Sequence, residues 1–459
     1  MNSMFDKNWL VNSIYHPLVI FILFSIGLIF YQGVIIVGDS ASYISTDLEV
    51  GHIIRPILYP LTLDIVELLT GSKWLNVMVC VQFFLGLIAI YLVAEWFQTI
   101  FKIPLLQRFG LYFVLYLPYL IPNLWLGNTI ASEALAYPLF LIFIKYFFTA
   151  FHNKPDINYY YLTISLILFT LIILTRKQFY FMAPFLVVMP LLFSKFKALK
   201  SSGVLICLTL VCLMLSYSVE RVSNSYRFGE TTSSPDIGMQ FVVAQLYLSN
   251  ETQINLMETE DERAFFAESQ EKMKTQALSL QHLGESERKS LGMFGAFFFN
   301  YNPILHTAFD ISQKKYSDIG TNYERNVAAD KLMMSVALKL FPNNMNSYIK
   351  LFIFNVIHGL GGNFSVGFSM PLLFLLFFIY YSWKIISTKD DDNVSIIILG
   401  LVLLHLANIL TVAIVEPTMI RYMFYTWPGP VLAIFLSSTC EVKKYVKRVK
   451  FSAEHVPAK

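Results

Sequence analysis

The sequence predicts an all-α polytopic membrane protein with about ten transmembrane helices and a mainly helical extracytoplasmic segment between spans 7 and 8. Three observations carry this. Hydrophobic residues make up 56% of 459 positions and charged residues 14%, against about 25% charged in soluble domains. Mean hydropathy is +0.57. The apolar residues fall in long runs, and Lys and Arg gather in alternate connections between them. So few charges cannot cover a water-soluble particle of this mass, so lipid solvates much of it. The net charge of +3 and the lack of a basic block before the last twenty residues argue against a nucleic-acid partner. Cys80, Cys207, Cys212 and Cys440 sit in or beside apolar runs, which speaks against a disulfide framework.

The runs cover roughly 15–37, 75–94, 105–124, 131–150, 159–175, 179–193, 203–219, 367–386, 394–415 and 422–439. The first is too long for a signal-peptide core and no small-x-small site follows, so it reads as a retained span. Pro118, Pro122, Pro184 and Pro190 predict helices that break, tilt or borrow residues from their flanks. Lys145 and Lys154 follow span 4, Lys195, Lys197 and Lys200 follow span 6, and Lys384 and Lys389 follow span 8. Lys443, Lys444, Lys447, Arg448 and Lys450 lie in the tail. Strict alternation puts all of these in the cytoplasm with both termini. This divides the chain into a seven-span module 1–219 holding an outer loop 38–74, an extracytoplasmic segment 220–347, an interfacial segment with spans 8–10 at 348–440, and a basic tail 441–459. The segment 220–347 holds 28 of the chain's 65 charges. Within it 258–280 reads as a solvated helix with Phe265, Phe266 and Met273 on an apolar stripe, and 322–340 as an amphipathic helix. The stretch 348–366 reads as interfacial or re-entrant, because Lys350, Asn355, His358 and three glycines interrupt it, with an eleventh span as the alternative.

Charged groups beside apolar spans are costly, so they are the first candidates for function. Asp39, in Gly-Asp-Ser-Ala-Ser-Tyr after span 1, is placed either to take a proton from a hydroxyl or to cap a short helix. Asp47, eight residues on, shares a face with it if the segment is helical. Arg55, in Arg-Pro-Ile-Leu-Tyr-Pro, is suited to clamp a phosphate or a lipid headgroup. Glu133, in Ser-Glu-Ala-Leu, opens span 4 and needs a cation, a catalytic role or a buried hydrogen bond. Arg176 and Lys177 stand between spans 5 and 6 on the side where positive charge is disfavoured, which points to an anionic partner or to snorkelling. Arg421, followed by Tyr422, is set against the same rule, with Glu416 as a local pairing alternative. Asn250-Glu-Thr and Asn363-Phe-Ser match the glycosylation sequon, and His52, His306 and His358 lack metal-ligand spacing. No nucleotide-binding or hydrolase fingerprint occurs.

In this order these motifs resemble the C-type membrane glycosyltransferases, which include protein O-mannosyltransferases and the aminoarabinose transferase of lipid A. The resemblance rests on Gly-Asp39-Ser-x-x-Tyr43, Arg55-Pro-x-x-Tyr59-Pro60, Ser132-Glu133-Ala-Leu, Leu-Thr-Arg176 and Arg421-Tyr422. The segment 337–348 is also similar to the amphipathic stretch these proteins place before span 8. Lys177 stands where the family carries proline.

The resemblance implies a polyprenyl-phosphate-linked sugar donor and a hydroxyl acceptor on a surface polysaccharide, glycolipid or protein. Asp39 would be the base of an inverting transfer. Arg55, Arg176, Lys177 and Arg421 would hold the donor phosphate, with Glu133, Tyr43, Tyr59 and Tyr422 supporting the site or the acceptor. A divalent cation is left open and no other cofactor is implied. The expected place is the bacterial inner membrane with the site extracytoplasmic, and the endoplasmic reticulum is the other candidate. A polymerase or ligase of lipid-linked oligosaccharides is the alternative. It would rely on loop residues such as Arg227, His306 and Arg325. A transporter would show paired mid-membrane charges and related halves.

Overall fold

The computed structural model describes residues 17–44, 55–121, 124–152, 157–193, 199–229, 231, 237–361, 369–387 and 393–438. Asp47, His52, Asn363, Lys154, Lys195, Lys197, Lys389, Cys440 and the tail 441–459 lie outside them. Among the described residues the regular elements are helices, apart from one parallel bridge between Ile35 and Thr129. Four stretches are long and apolar enough to cross a membrane: Leu58–Phe101, Glu133–His152, Gly203–Arg227 and Val394–Val415. Shorter apolar helices, among them Pro17–Gln32, Tyr159–Thr175 and Pro428–Ser438, accompany them. The chain is therefore a helical membrane protein.

Two segments are more helical than their composition suggested. The expected loop 38–74 contains the helix Leu58–Thr70, joined through a short turn at Gly71 to Trp74–Phe101. Its buried residues Tyr59, Leu63 and Val66 recur at helical spacing, while Asp64 and Glu67 stay exposed, so charge on one face hid the other. The helix expected to end at 219 runs on as Leu199–Phe228, past the boundary drawn at 220.

Glu133–His152 lies at the centre of the bundle, packed on Trp74–Phe101 and Tyr159–Thr175. Its Ala136, Tyr137, Phe140, Phe143 and Phe147 have essentially no exposed surface. The neighbouring aromatic column approaches Trp74–Phe101 closely at one point. A Cβ on Gly86 would stand 1.9 Å from the Tyr119 hydroxyl and 2.5 Å from its Cζ, so only glycine fits. That hydroxyl has no hydrogen-bond partner among the described residues. Gly86→Ala is therefore expected to cost about 1–3 kcal/mol by overpacking. Tyr119→Phe alone should be neutral or stabilising, and should restore part of the loss in the double variant. Denaturation midpoints in detergent check all three.

A second core gathers Ile237–Leu248, Glu260–Thr275, Glu285–Lys315 and Asn322–Leu360. Thr259 and Thr321 start two of these helices with reciprocal capping boxes to Glu262 and Glu324. Phe265, Phe266 and Met273 are buried as their spacing predicted. The last helix is one continuous run of 39 residues through Pro342, so it does not end at 340 and runs on to Leu360. Proline removes one backbone hydrogen bond from a helix interior, and beside it the buried Asn344 donates its side-chain amide to Gln245 and Ser249 and accepts from Gln253. These partners hold the turn that sequence propensity alone would break. Asn250 of the first sequon caps the turn Glu251–Leu256.

Glu262 ties this second core together. Lys339 donates to both carboxylate oxygens at 2.8 and 2.7 Å, Ser335 donates at 2.5 Å, and the amides of Glu258 and Thr259 at 3.0 Å. Burial pushes the carboxyl up, but Lys339, Ser335 and the two amides hold it at about 2, below its ordinary 4.5. Because the folded value is depressed, the stabilisation is fully present above about 4.5 and disappears as the pH falls toward about 2. Wild type should thus lose helical stability between those values, and Glu262→Gln should show a shallower acid limb in circular-dichroism melts.

Candidate active site

The ends of several bundle helices meet where Asp39, Arg55, Glu133, Arg176 and Arg421 converge. Each is carried by a different segment. Asp39 lies in the three-residue turn Gly38–Ser40, after a stretch paired with 128–130. Ile35 N–H donates to Asn128 O at 2.9 Å, and Ile130 N–H to Ile35 O at 3.1 Å. Asn128 also donates its side-chain amide to Gly33 O at 2.8 Å. Ser40 accepts from Val37 N–H and donates to Ile130 O at 2.7 Å. This short pairing brings the turn that carries Asp39 against the residues that lead into Glu133.

Arg176 follows Tyr159–Thr175 with extended backbone, φ −158° and ψ 120°. Arg176 turns into the bundle, while Lys177, the first residue of the short helical turn Lys177–Phe181, pairs with Glu220 at 2.9 Å. The cation pair expected at this position is therefore divided, and Lys177 is not brought to the cluster by that pairing. Arg421 sits in the short helix Ile420–Met423. It reaches across to Glu133 and Asp39 rather than back to Glu416, and the buried Glu416 lies beside Tyr422 and Tyr301.

The charges alternate. Arg55 Nη2 donates to Asp39 Oδ1 at 2.9 Å, and Arg421 Nη2 donates to Asp39 Oδ2. Arg421 Nε donates to Glu133 Oε1 at 2.8 Å, and Arg176 Nη1 pairs with the same oxygen at 2.7 Å. Three guanidinium groups thus share two carboxylates, with the buried Glu416 carboxyl near Arg176 and Arg421. The network has a closed end and an open end: side-chain exposure is 6% for Glu133 and 13% for Arg176, against 28% for Asp39 and 35% for Arg421. Burial pushes the Asp39 carboxyl up, but Arg55 and Arg421 outweigh it and hold the group below its ordinary value.

The tyrosines named with these charges line the same region. Tyr43 shares a hydrogen bond with Ser132 at 2.8 Å, lies under the Arg55 guanidinium at 5.0 Å, and meets Tyr59 edge-on at 5.1 Å. Tyr59 donates to Gln82 at 2.8 Å, and Gln82 donates in turn to Gly127 O and Thr129 O. The Tyr422 ring stands under Arg176 at 5.6 Å. Among the described residues no group of three His, Cys, Asp or Glu side chains gathers as a metal site. The two central carboxylates are both engaged by arginines.

Sequence reasoning passed over the polar residues behind the charges. Arg176 Nε donates to Gln178 at 3.1 Å, and Gln178 donates to Asn408 at 2.9 Å and to the Tyr422 carbonyl at 2.7 Å. Asn408 donates to the same carbonyl at 2.8 Å and to Thr426 at 3.0 Å, and Thr426 bonds the His405 ring at 2.9 Å. Gln82, His405 and Asn408 are fully buried polar groups in apolar helices. That cost was the signal available in the sequence.

No family model, curated protein or solved structure matches the chain.

The two ends of the network should respond differently to neutralisation. Glu133→Gln leaves Arg176 buried without its carboxylate and is expected to destabilise by about 3–5 kcal/mol. Asp39→Asn, at the more exposed end, should cost clearly less, about 1–2 kcal/mol. Equal shifts in detergent melting curves would overturn this assignment of ends.

Proposed function

We propose that the chain is a membrane glycosyltransferase that moves a sugar from a polyprenyl-phosphate donor to a hydroxyl acceptor on a glycan, glycolipid or protein. The observation that carries this reading is the convergence of Asp39, Arg55, Glu133, Arg176 and Arg421 from five separate segments into one partly open network. A lipid-linked donor keeps its reacting phosphate at the membrane surface, so its site belongs at helix ends beside lipid. Guanidinium groups there stabilise the charge that develops on the leaving phosphate. In the reaction the acceptor oxygen attacks the anomeric carbon, its proton passes to the Asp39 carboxylate, and the bond from that carbon to phosphate oxygen breaks. The electron pair leaves on polyprenyl phosphate. One base with no covalent intermediate inverts the anomeric centre.

Each side chain has a part in this reading. Asp39 is the base, Arg55 and Arg421 at the open end meet the phosphate, and Arg176 with Glu133 holds Arg421 in place. Tyr43, Tyr59 and Tyr422 shape the walls. Lys177, engaged by Glu220, is left out of the phosphate set. The distribution of loop lysines supports cytoplasmic termini and an extracytoplasmic site, and the short hydrophilic insertions fit a bacterial inner membrane.

The test uses purified protein in liposomes with a panel of polyprenyl-phosphate sugars and hydroxyl acceptors, reading polyprenyl phosphate release. Asp39→Asn is expected to lower turnover by about 100-fold or more at unchanged protein level. A fully active Asp39→Asn would sink the assignment.

A further inference from the structure

In the network as it stands each arginine already has a carboxylate, so an incoming anion competes with side chains for these guanidinium groups. Glu133 cannot give way readily. It is almost wholly buried, is paired by both Arg176 and Arg421, and lies beside the Ser132 hydroxyl. Asp39 can. Its carboxylate is partly exposed and sits on a three-residue turn, held by one oxygen to Arg55 and the other to Arg421. Both guanidinium groups that flank it are at the open end. The same two oxygens are those that the proposed reaction needs for the acceptor proton, so in this arrangement the base is occupied by its neighbours.

We infer that a phosphate mono- or diester binds by taking the place of the Asp39 carboxylate on Arg421, so that phosphate binding and release of the base are one event. This rests on the reading of the site as a phosphate site and adds an order to it. The donor enters first, Arg421 changes partner from carboxylate to phosphate, and the freed Asp39 then accepts the proton of the second substrate. Glu133 and Arg176 stay in place and keep Arg421 from swinging away. No bond is made or broken in the exchange, and the charge of the site falls only by what the phosphate brings.

The exchange has a signature that ordinary charge removal lacks. Replacing Asp39 by Asn should stop transfer and yet tighten phosphate binding, because Arg421 no longer has to be won from a carboxylate. The experiment is calorimetric titration of geranyl phosphate into the full chain in detergent, with geraniol as the control for partition of the tail. Wild type, Asp39→Asn, Arg421→Ala and the double variant are compared, and Asp39→Ser replaces the Asn variant if that one does not fold. The expected result is about fivefold tighter binding by Asp39→Asn, the size of a partly exposed ion pair, with most of that gain lost in the Arg421→Ala background. A gain that persists without Arg421 reflects general charge removal and overturns the exchange. So does equal or weaker binding by Asp39→Asn when wild type binds, though the phosphate reading then stands. Failure of both wild type and Asp39→Asn to bind geranyl phosphate overturns the phosphate reading and the exchange together.

Discussion

Glu133 opens an apolar helix with its carboxylate almost entirely removed from water. An ion in that position is tolerable only if it is paired and its oxygens are hydrogen-bonded. Arg176 and Arg421 meet this need from segments 43 and 288 residues away in the chain, and the second of them also reaches Asp39. That requirement links the end of Tyr159–Thr175, the short helix Ile420–Met423 and the turn at Gly38–Ser40 to the start of Glu133–His152. Much of the local detail follows from it, from the extended backbone at Arg176 to the hydrogen bonds on the Tyr422 carbonyl.

Support for the charges extends in both directions. On the bundle side, Gln178, Asn408, Thr426 and His405 form a hydrogen-bonded row that enters the apolar helix Asn393–Val415. On the other side, the helix Asn322–Leu360 contacts the segment that carries Arg421. Tyr348 donates to Ile414 O, and Thr418 donates to Asn355 O at 2.7 Å. Met419 packs on the second core, while Met423 joins Ile409 and Val412 in a small cluster between the two. The loop bearing Arg421 is thus held by both cores, which preorganises one guanidinium at the open end of the network. Under the proposed reading, an acceptor meeting the second core would be close to the residues that act on the donor.

The alternation of charge also bears on how such a site can work at all. Three cations with two anions are stable in a protein that holds no ligand, whereas three bare guanidinium groups at one point would repel one another by several kcal/mol in a low dielectric. Internal carboxylates lower that repulsion while the guanidinium groups keep donors that an anion can use. The cost is competition between the internal and the incoming anion at Arg421.

The sequence by itself determined the class of the protein and the identity of the five charged residues. The reason is solvation. An apolar run with so few charges belongs in lipid, and an ion beside such a run stands out because burial is expensive. It also determined the buried stripe of Glu260–Thr275, since this depends on neighbours three and four residues apart. The sequence did not determine which charge meets which. Arg421 and Glu416 are five residues apart, and Arg176 and Lys177 adjacent, yet Arg421 pairs with Asp39 and Glu133, and Lys177 with Glu220. Pairings of that kind depend on where helix ends arrive in space and on the direction of one extended residue. The continuity of Asn322–Leu360 was decided in the same way, by partners that Asn344 finds about a hundred residues back in the chain. Local physics names the groups that need a partner, and only the packed bundle decides which partner each one reaches.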